Sequence, residues 1–257
     1  MWEKEFEIAN QAARAAGNVL NRLFGHVINI IKKGEIELVT EADLESEKTI
    51  LEIIRSEFPK DNILSEEAGK LRGNSDRTWL IDPLDGTTNF AHGFPFFAVS
   101  IALEIEERIV FGIVYNPIMN EYFEAVNGVG AYLNGKPIRV SETSTLGGSL
   151  LGTGFPYDTH EKPQRVMGFF NKMIVVAQGI RRPGAAAIDL CYVAAGRLDG
   201  FWEEGLSPWD TAAGTCIVKE AGGKLTTIEG NPYSPYLKSI TAANPFIHSA
   251  MIKALNG

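Results

Sequence analysis

The chain has 257 residues, of which 45% are hydrophobic and 22% charged, and its formal net charge is −8. These are the values of a soluble globular protein with one large domain or two close-packed ones. No Lys/Arg block stands out, which argues against nucleic acid as a partner, and an acidic surface repels phosphorylated substrates unless something local reverses the sign.

Residues 2–24 set Phe6, Ile8, Ala12, Ala16, Leu20 and Leu23 at helical spacing, which predicts an amphipathic helix. Its opening carries acids where a signal peptide would carry a basic segment. A second helix is predicted over 41–58, with Leu44, Leu51, Ile54 and Phe58 on its apolar side, and Thr40 and Asp43 fit a capping pattern at its start. The middle of the chain reads as strands at 78–82, 96–105, 108–116 and 121–126, with hairpin signals at 127–130 and at Asn134-Gly135. Short links between them predict an antiparallel sheet.

Past residue 145 the pattern changes. Strands are predicted at 149–155, 198–203, 224–228 and 239–244, and helices at 161–178, 184–196, 208–221 and 245–256. The expected organisation is an N-terminal α+β half, 1–145, and a C-terminal α/β half, 146–257, forming one catalytic unit. Cys191 and Cys216 fall in apolar helical segments and read as buried thiols of a reducing compartment. No apolar run approaches the length of a membrane span, so no membrane partner and a cytoplasmic location are expected.

The segment WLIDPLDGTTNF (79–90) ends an apolar run on two acids, Asp82 and Asp85. D-P and D-G are common turn dipeptides, so a plain turn is one reading. The other is a site: two carboxylates three residues apart, with the Leu84 carbonyl between them, offer hard oxygen ligands to a cation such as Mg²⁺. Gly86-Thr87-Thr88 then resembles a helix start, whose N–H groups suit a phosphate. Glu66 and Glu67, in ILSEEAG, read alone as a solvated loop. Two adjacent acids near other acids need a cation to offset the repulsion. Asp210, in SPWDTAAG, has a sufficient structural role as the third residue of a helix opened by Ser207 and Pro208. Asp43 has the same role at its own helix. Lys32 and Lys33 read as solvated surface.

Order and wording tip this balance. WLIDPLDGTTNF, PWDTAAG and ILSEEAG together resemble the signatures of the inositol monophosphatase family of Mg²⁺-dependent, lithium-sensitive sugar-phosphate phosphatases. The likeness runs from LVTEAD (38–43) through GAAAIDLCYVAAGRLDGFWE (184–203) to the C-terminal half. It implies an α/β fold, a layered αβαβα sandwich, found as a homodimer. It implies Glu66, Asp82, Asp85 and Asp210 as ligands for two or three Mg²⁺ ions, with the Leu84 carbonyl as a further ligand. Thr87 would sit beside the attacking water, with Asp43 and Thr40 helping to order that water or a more weakly held ion. Gly86 and Thr87 amides would hold the phosphate, and Asp85, Ala185, Glu203 and Asp210 would border the substrate. Lys32, or Lys33 if the loop shifts by one, would lie near the phosphate. Ala185 departs from the family, which often has Ser or Thr there, so a hydroxyl near the sugar is missing.

The resemblance implies hydrolysis of a sugar or cyclitol phosphate monoester, with inositol-1-phosphate first, by direct in-line attack of water. A fructose-1,6-bisphosphatase or a dual-activity enzyme shares that chemistry. A non-catalytic protein that binds Mg²⁺ and a sugar phosphate is the distant alternative.

Overall fold

The computed structural model describes residues 2–26, 30–32, 38–156, 159 and 163–257, with side chains left aside at 30–32 and 38. Helix α1 (Glu3–Leu23) leads through strands β1 (Ile30–Lys32) and β2 (Leu38–Thr40) to α2 (Glu41–Glu57). Then come β3 (Asn62–Ser65), β4 (Gly69–Leu71), β5 (Arg77–Asp85) and the short α3 (Thr87–Ala91). A meander follows: β6 (Ala98–Ile105), β7 (Arg108–Asn116), β8 (Glu121–Val126), β9 (Gly130–Leu133) and β10 (Lys136–Pro137). The remaining elements are β11 (Leu150–Thr153), α4 (Pro163–Ile174), β12 (Gly179–Arg181), α5 (Ala186–Ala194), β13 (Gly200–Glu204), α6 (Pro208–Glu220), β14 (Lys224–Thr226), β15 (Ser239–Ala243) and α7 (His248–Asn256).

Eight strands form one sheet in the order β10-β9-β8-β7-β6-β5-β3-β4, and five form another in the order β12-β11-β13-β15-β14. Helices α1 and α2 cover one face of the large sheet, α5 and α6 fill the space between the sheets, and α4 and α7 pack together beyond the small one. The result is the five-layer αβαβα sandwich. Strands β6 and β7 are buried on both faces, which is why they read as nearly unbroken apolar runs rather than alternating ones. Helix α5 is buried almost all round for the same reason, and its small residues let two sheets approach. A Cβ on Gly112 of β7 would lie 2.6 Å from the Cα of Ala213 on α6, so the layers meet backbone to backbone there.

Several sequence expectations are corrected. The antiparallel sheet expected of the strands between 78 and 126 is present as β5-β6-β7-β8, but β3, which the sequence pattern did not mark as a strand, joins its edge parallel to β5, with Ser65 opposite Ile81. Strand β5 does not stop at Asp82 but continues to Asp85 through a register shift opposite β6. Pro83 has no N–H for the ladder, and a bulge is where a strand tolerates that. The face of α2 turned inward holds Asp43, Ser46, Glu47, Ile50 and Ile54, while Leu44 is 47% exposed. Strand β6 begins two residues later than expected, because Phe96 closes a turn onto the Phe94 carbonyl. Strand β11 ends at Thr153, and α4 at Ile174, where Val176 and Ala177 turn back onto the Met173 carbonyl. The last helix starts at His248 because Asn244 Oδ1 accepts the amides of Phe246 and Ile247 in a turn of its own. Both cysteines are buried, as expected. Among the described residues no helix is long and apolar enough to cross a membrane.

Candidate active site

The parallel pair β3 and β5 ends at one edge of the large sheet. Glu66 follows β3, and its amide extends the ladder to the Ile81 carbonyl at 3.2 Å. Asp82 and Asp85 stand either side of the bulge in β5. The chain then turns at Gly86, whose φ of 93° is left-handed and suits glycine, and enters α3. From the other half of the molecule, the start of α6 brings Asp210 and the end of β13 brings Glu203. These residues, with Leu84, Gly86, Thr87 and Ala185, line one cavity of about 330 Å³.

Three of the acids at the centre keep one oxygen on a backbone amide. Asp82 Oδ1 accepts from Leu84 at 3.0 Å, Asp85 Oδ2 from Ala187 at 2.7 Å and Asp210 Oδ2 from Ser207 at 2.7 Å. The Ser207 contact is the helix-start role foreseen for Asp210. The Ala187 contact explains how α5 does without a hydroxyl at its start. Ala185 occupies the N-cap position and makes no side-chain cap, so Asp85 supplies the missing acceptor from another layer.

Burial and mutual repulsion dominate the electrostatics. Asp82 is pushed well above the usual carboxylate range by burial first, then by the charges of Glu66, Asp85 and Asp210. Asp85 is pushed up to about 8 by burial and Asp210, against the Ala187 and Ala186 amides. Asp210 is raised to about 6 by burial, against the Ser207 amide, Lys238 and a hydrogen bond with Asp82. Such a cluster favours either protons or cations.

The donor set fits a hard divalent cation: carboxylates plus the Leu84 carbonyl, all oxygen, around one cavity. Among the described residues no three acidic, histidine or cysteine side chains are drawn together as a closed ligand set. Asp82 and Asp210 share a hydrogen bond, and the other acids border the same cavity.

Beside the acids, Thr87 Oγ1 lies 2.8 Å from Asp43 Oδ1 and 3.0 Å from the Leu84 carbonyl. Asp43 Oδ2 accepts from both the amide and the hydroxyl of Thr40, at 2.7 and 2.6 Å, while Thr40 Oγ1 accepts the Ala42 amide. Burial raises the Asp43 carboxyl, and the hydrogen bonds from Thr40 and Thr87 oppose it. Asp43 thus touches the cavity through Thr87, not directly. Helix α3 has only five residues, so it offers amides rather than a sizeable dipole.

The far wall is built differently. Glu203 is buried and its carboxyl is pushed up to about 8, by burial first and then by Asp210, with Arg182 opposing. A Cβ on Gly154 would fall 2.1 Å from its oxygens, so any larger residue there would push the Glu203 carboxyl aside. Behind lies Asp189, 1% exposed, with neither carboxyl oxygen hydrogen-bonded. Burial and the charge of Glu203 hold it well above the usual range. Arg182, Gly154, Phe155, Pro156 and Trp209 also line the cavity. The sequence reading missed them, and GTGF and RRPG carry no chemical motif that could have marked them. The backbone of Lys32 lies in β1; its side chain and the whole of Lys33 lie outside the described residues.

A family model described as "Inositol monophosphatase family" matches residues 1–257. The chain belongs to the inositol monophosphatase family. This membership makes it a phosphatase. An inositol-1-monophosphatase of Synechocystis is 48% identical over 252 residues, covering 97% of this chain and 88% of that one. The Nus factor SuhB of Escherichia coli K12 is 42% identical over 248 residues, covering 95% of this chain and 93% of that one. Among solved structures, the extragenic suppressor protein suhB of Bartonella henselae superposes with a TM-score of 0.94 at 42% identity, over 98% of both chains. The inositol monophosphatase of Anabaena superposes with a TM-score of 0.89 at 44% identity, over 99% of this chain and 96% of that one.

Proposed function

We propose that this phosphatase hydrolyses a phosphate monoester of a cyclitol or sugar, inositol-1-phosphate first, with Mg²⁺ as its cofactor. The observation that carries this reading is the convergence of Glu66, Asp82, the Leu84 carbonyl, Asp85 and Asp210 on one cavity beside the Thr87–Asp43 pair. Those five residues would hold the metal. When bound, divalent cations withdraw charge from phosphoryl oxygens and make water a better nucleophile.

The chain's own groups do the rest. The Thr87 hydroxyl donates to Asp43 or Leu84, which leaves its oxygen lone pairs to accept a proton of the attacking water and aim it. Gly86 and Thr87 amides border the phosphoryl oxygens. Glu203 lines the cavity where its carboxyl can hydrogen-bond a ring hydroxyl of the substrate, and Arg182 stands near it. Attack in line with the leaving oxygen breaks the P–O bond and releases the alcohol and inorganic phosphate, with no phosphorylated side chain. The two halves, 1–145 and 146–257, act as one unit in this reading, because Asp210 and Glu203 come from the second.

A fructose-1,6-bisphosphatase or dual activity is the second reading. A neighbouring cavity of about 530 Å³ shares Pro156, Glu204 and Gly205 with the first and presents Lys238, a charge suited to a distal phosphate, beside Arg165, which is paired with Glu204, and the acid Glu229. Phosphate release from inositol-1-phosphate and fructose-1,6-bisphosphate, with and without Mg²⁺ and lithium, separates the readings. Release that needs no divalent cation would overturn the metal assignment. Solvolysis in ¹⁸O-labelled water should leave one label in the phosphate. The family resemblance also supports a homodimer, which light scattering would show. The two buried thiols fit a cytoplasmic protein.

A further inference from the structure

The inward face of α2 carries three polar side chains at positions i, i+3 and i+4, Asp43, Ser46 and Glu47, all buried. Its neighbour α1 buries only apolar residues and a glycine, Ile8, Gly17, Leu20 and four alanines. A buried polar stripe costs stability unless every group is satisfied, and here each one ends on a different segment of the site. Asp43 reaches Thr87. Ser46 Oγ donates to the Pro83 carbonyl at 2.7 Å, inside the bulge between Asp82 and Asp85. Glu47 Oε1 accepts from Ser65 Oγ at 2.5 Å, from the Glu67 amide at 3.1 Å and from the Ala68 amide at 2.9 Å.

The three donors held by Glu47 flank Glu66 on both sides. Ser46 and Glu47 are consecutive residues of one rigid helix, so the distance between the Glu66 loop and the Asp82–Asp85 bulge is set by α2 as well as by the β3–β5 ladder. We propose that Glu47, assisted by Ser46, is a positioning residue: it holds the Glu66 loop at a fixed span from the bulge and thereby sets the affinity of the site for divalent cations. This inference rests on the metal reading above. A carboxylate oxygen gathers three donors better than a neutral acceptor does. An alanine in its place would leave two amides and a hydroxyl to find other partners beside Glu66.

The test is a Mn²⁺ titration of the full chain by electron paramagnetic resonance, without substrate, alongside amide hydrogen exchange of the metal-free protein. Glu47→Ala is expected to weaken Mn²⁺ binding by about tenfold or more and to speed exchange at Glu67 and Ala68, while Glu47→Gln, which keeps an acceptor, changes affinity by about threefold at most. Asp61→Asn is the stability control, because Asp61 ties Trp79, Ser75 and Arg77 together at the opposite end of β3 and β5. It should lower Tm and leave Mn²⁺ affinity alone. Wild-type affinity in Glu47→Ala, or equal weakening by Asp61→Asn, would overturn the proposal. If Glu47→Ala does not fold, Ser65→Ala removes one of the three donors, and unchanged Mn²⁺ affinity there overturns it equally. A wild-type chain that binds no Mn²⁺ would sink the metal reading itself. Unaltered exchange at Glu67 and Ala68 in Glu47→Ala would instead sink the clamp.

Discussion

The two walls of the cavity solve the same problem, buried acids, in opposite ways. Behind the N-terminal wall, Asp43 accepts from Thr40 and Thr87, and Glu47 from Ser65 and two amides, while on the wall itself Asp82 and Asp85 each rest one oxygen on an amide. On the C-terminal wall, Asp189 has no hydrogen-bond partner, and Glu203 sits in a pit left by Gly154. Saturated acids are locked in direction, which suits ligands whose geometry must not drift. Buried acids left with spare bonding capacity suit a wall that meets hydroxyl groups. We read the wall of Asp82 and Asp85, which Asp210 joins from the second half, as the one for chemistry and the wall of Glu203 as the one for recognition.

The largest effect should come from the wall assigned to chemistry. Asp85→Asn keeps the acceptor for the Ala187 amide but removes a charge, and should lower kcat/KM by about a thousandfold. Phosphate release measured across a Mg²⁺ titration checks it, and near-normal turnover at saturating Mg²⁺ would take Asp85 out of the metal site. Thr87→Val should lower kcat by about a hundredfold with KM little changed, whereas Thr87→Ser, which retains the hydroxyl, should stay within about tenfold of the parent. Equal loss in both variants would mean that the hydroxyl is not used.

Effects on the recognition wall should be smaller and fall on KM. Glu203→Gln is expected to raise KM about tenfold with kcat nearly preserved. Gly154→Ala should act the same way, since the added methyl displaces the Glu203 carboxyl. A fall in kcat alone would erase the distinction between the walls.

The smallest effect is on stability. Glu203 is raised from 4.5 to about 8 in the folded chain. Between those values the folded state binds more protons than the unfolded one, so this group's contribution makes stability fall as pH rises through the window and level off above it. Thermal melts of the metal-free protein should therefore show a shallower decline with pH in Glu203→Gln than in the parent. Parallel curves would show that Glu203 ionises normally.

Much of the architecture was legible in the residues. The strands β7 and β8 and the starts of α2 and α6 follow from apolar runs, Thr40 with Asp43, and Ser207-Pro208 with Asp210. Leu44 misled, because periodicity counts apolar side chains and cannot see that the inward face of α2 is polar by design of its partners. The parallel pairing of β3 with β5 was equally hidden, since pairing depends on which distant strands meet.

Local pattern determined what this chain shows through neighbouring residues: the helices, most strands, the capping acids and the D-P-x-D-G-T-x-N wording that marks its family. Tertiary structure decided everything that joins distant residues: the bulge that separates Asp82 from Asp85, Asp85 capping α5 in place of a hydroxyl at 185, the pit at Gly154, and the hold of Glu47 on the loop of Glu66. The physical reason is range. Backbone propensity and capping act over a few residues, whereas burial, charge repulsion and hydrogen bonds between layers exist only once the layers have met.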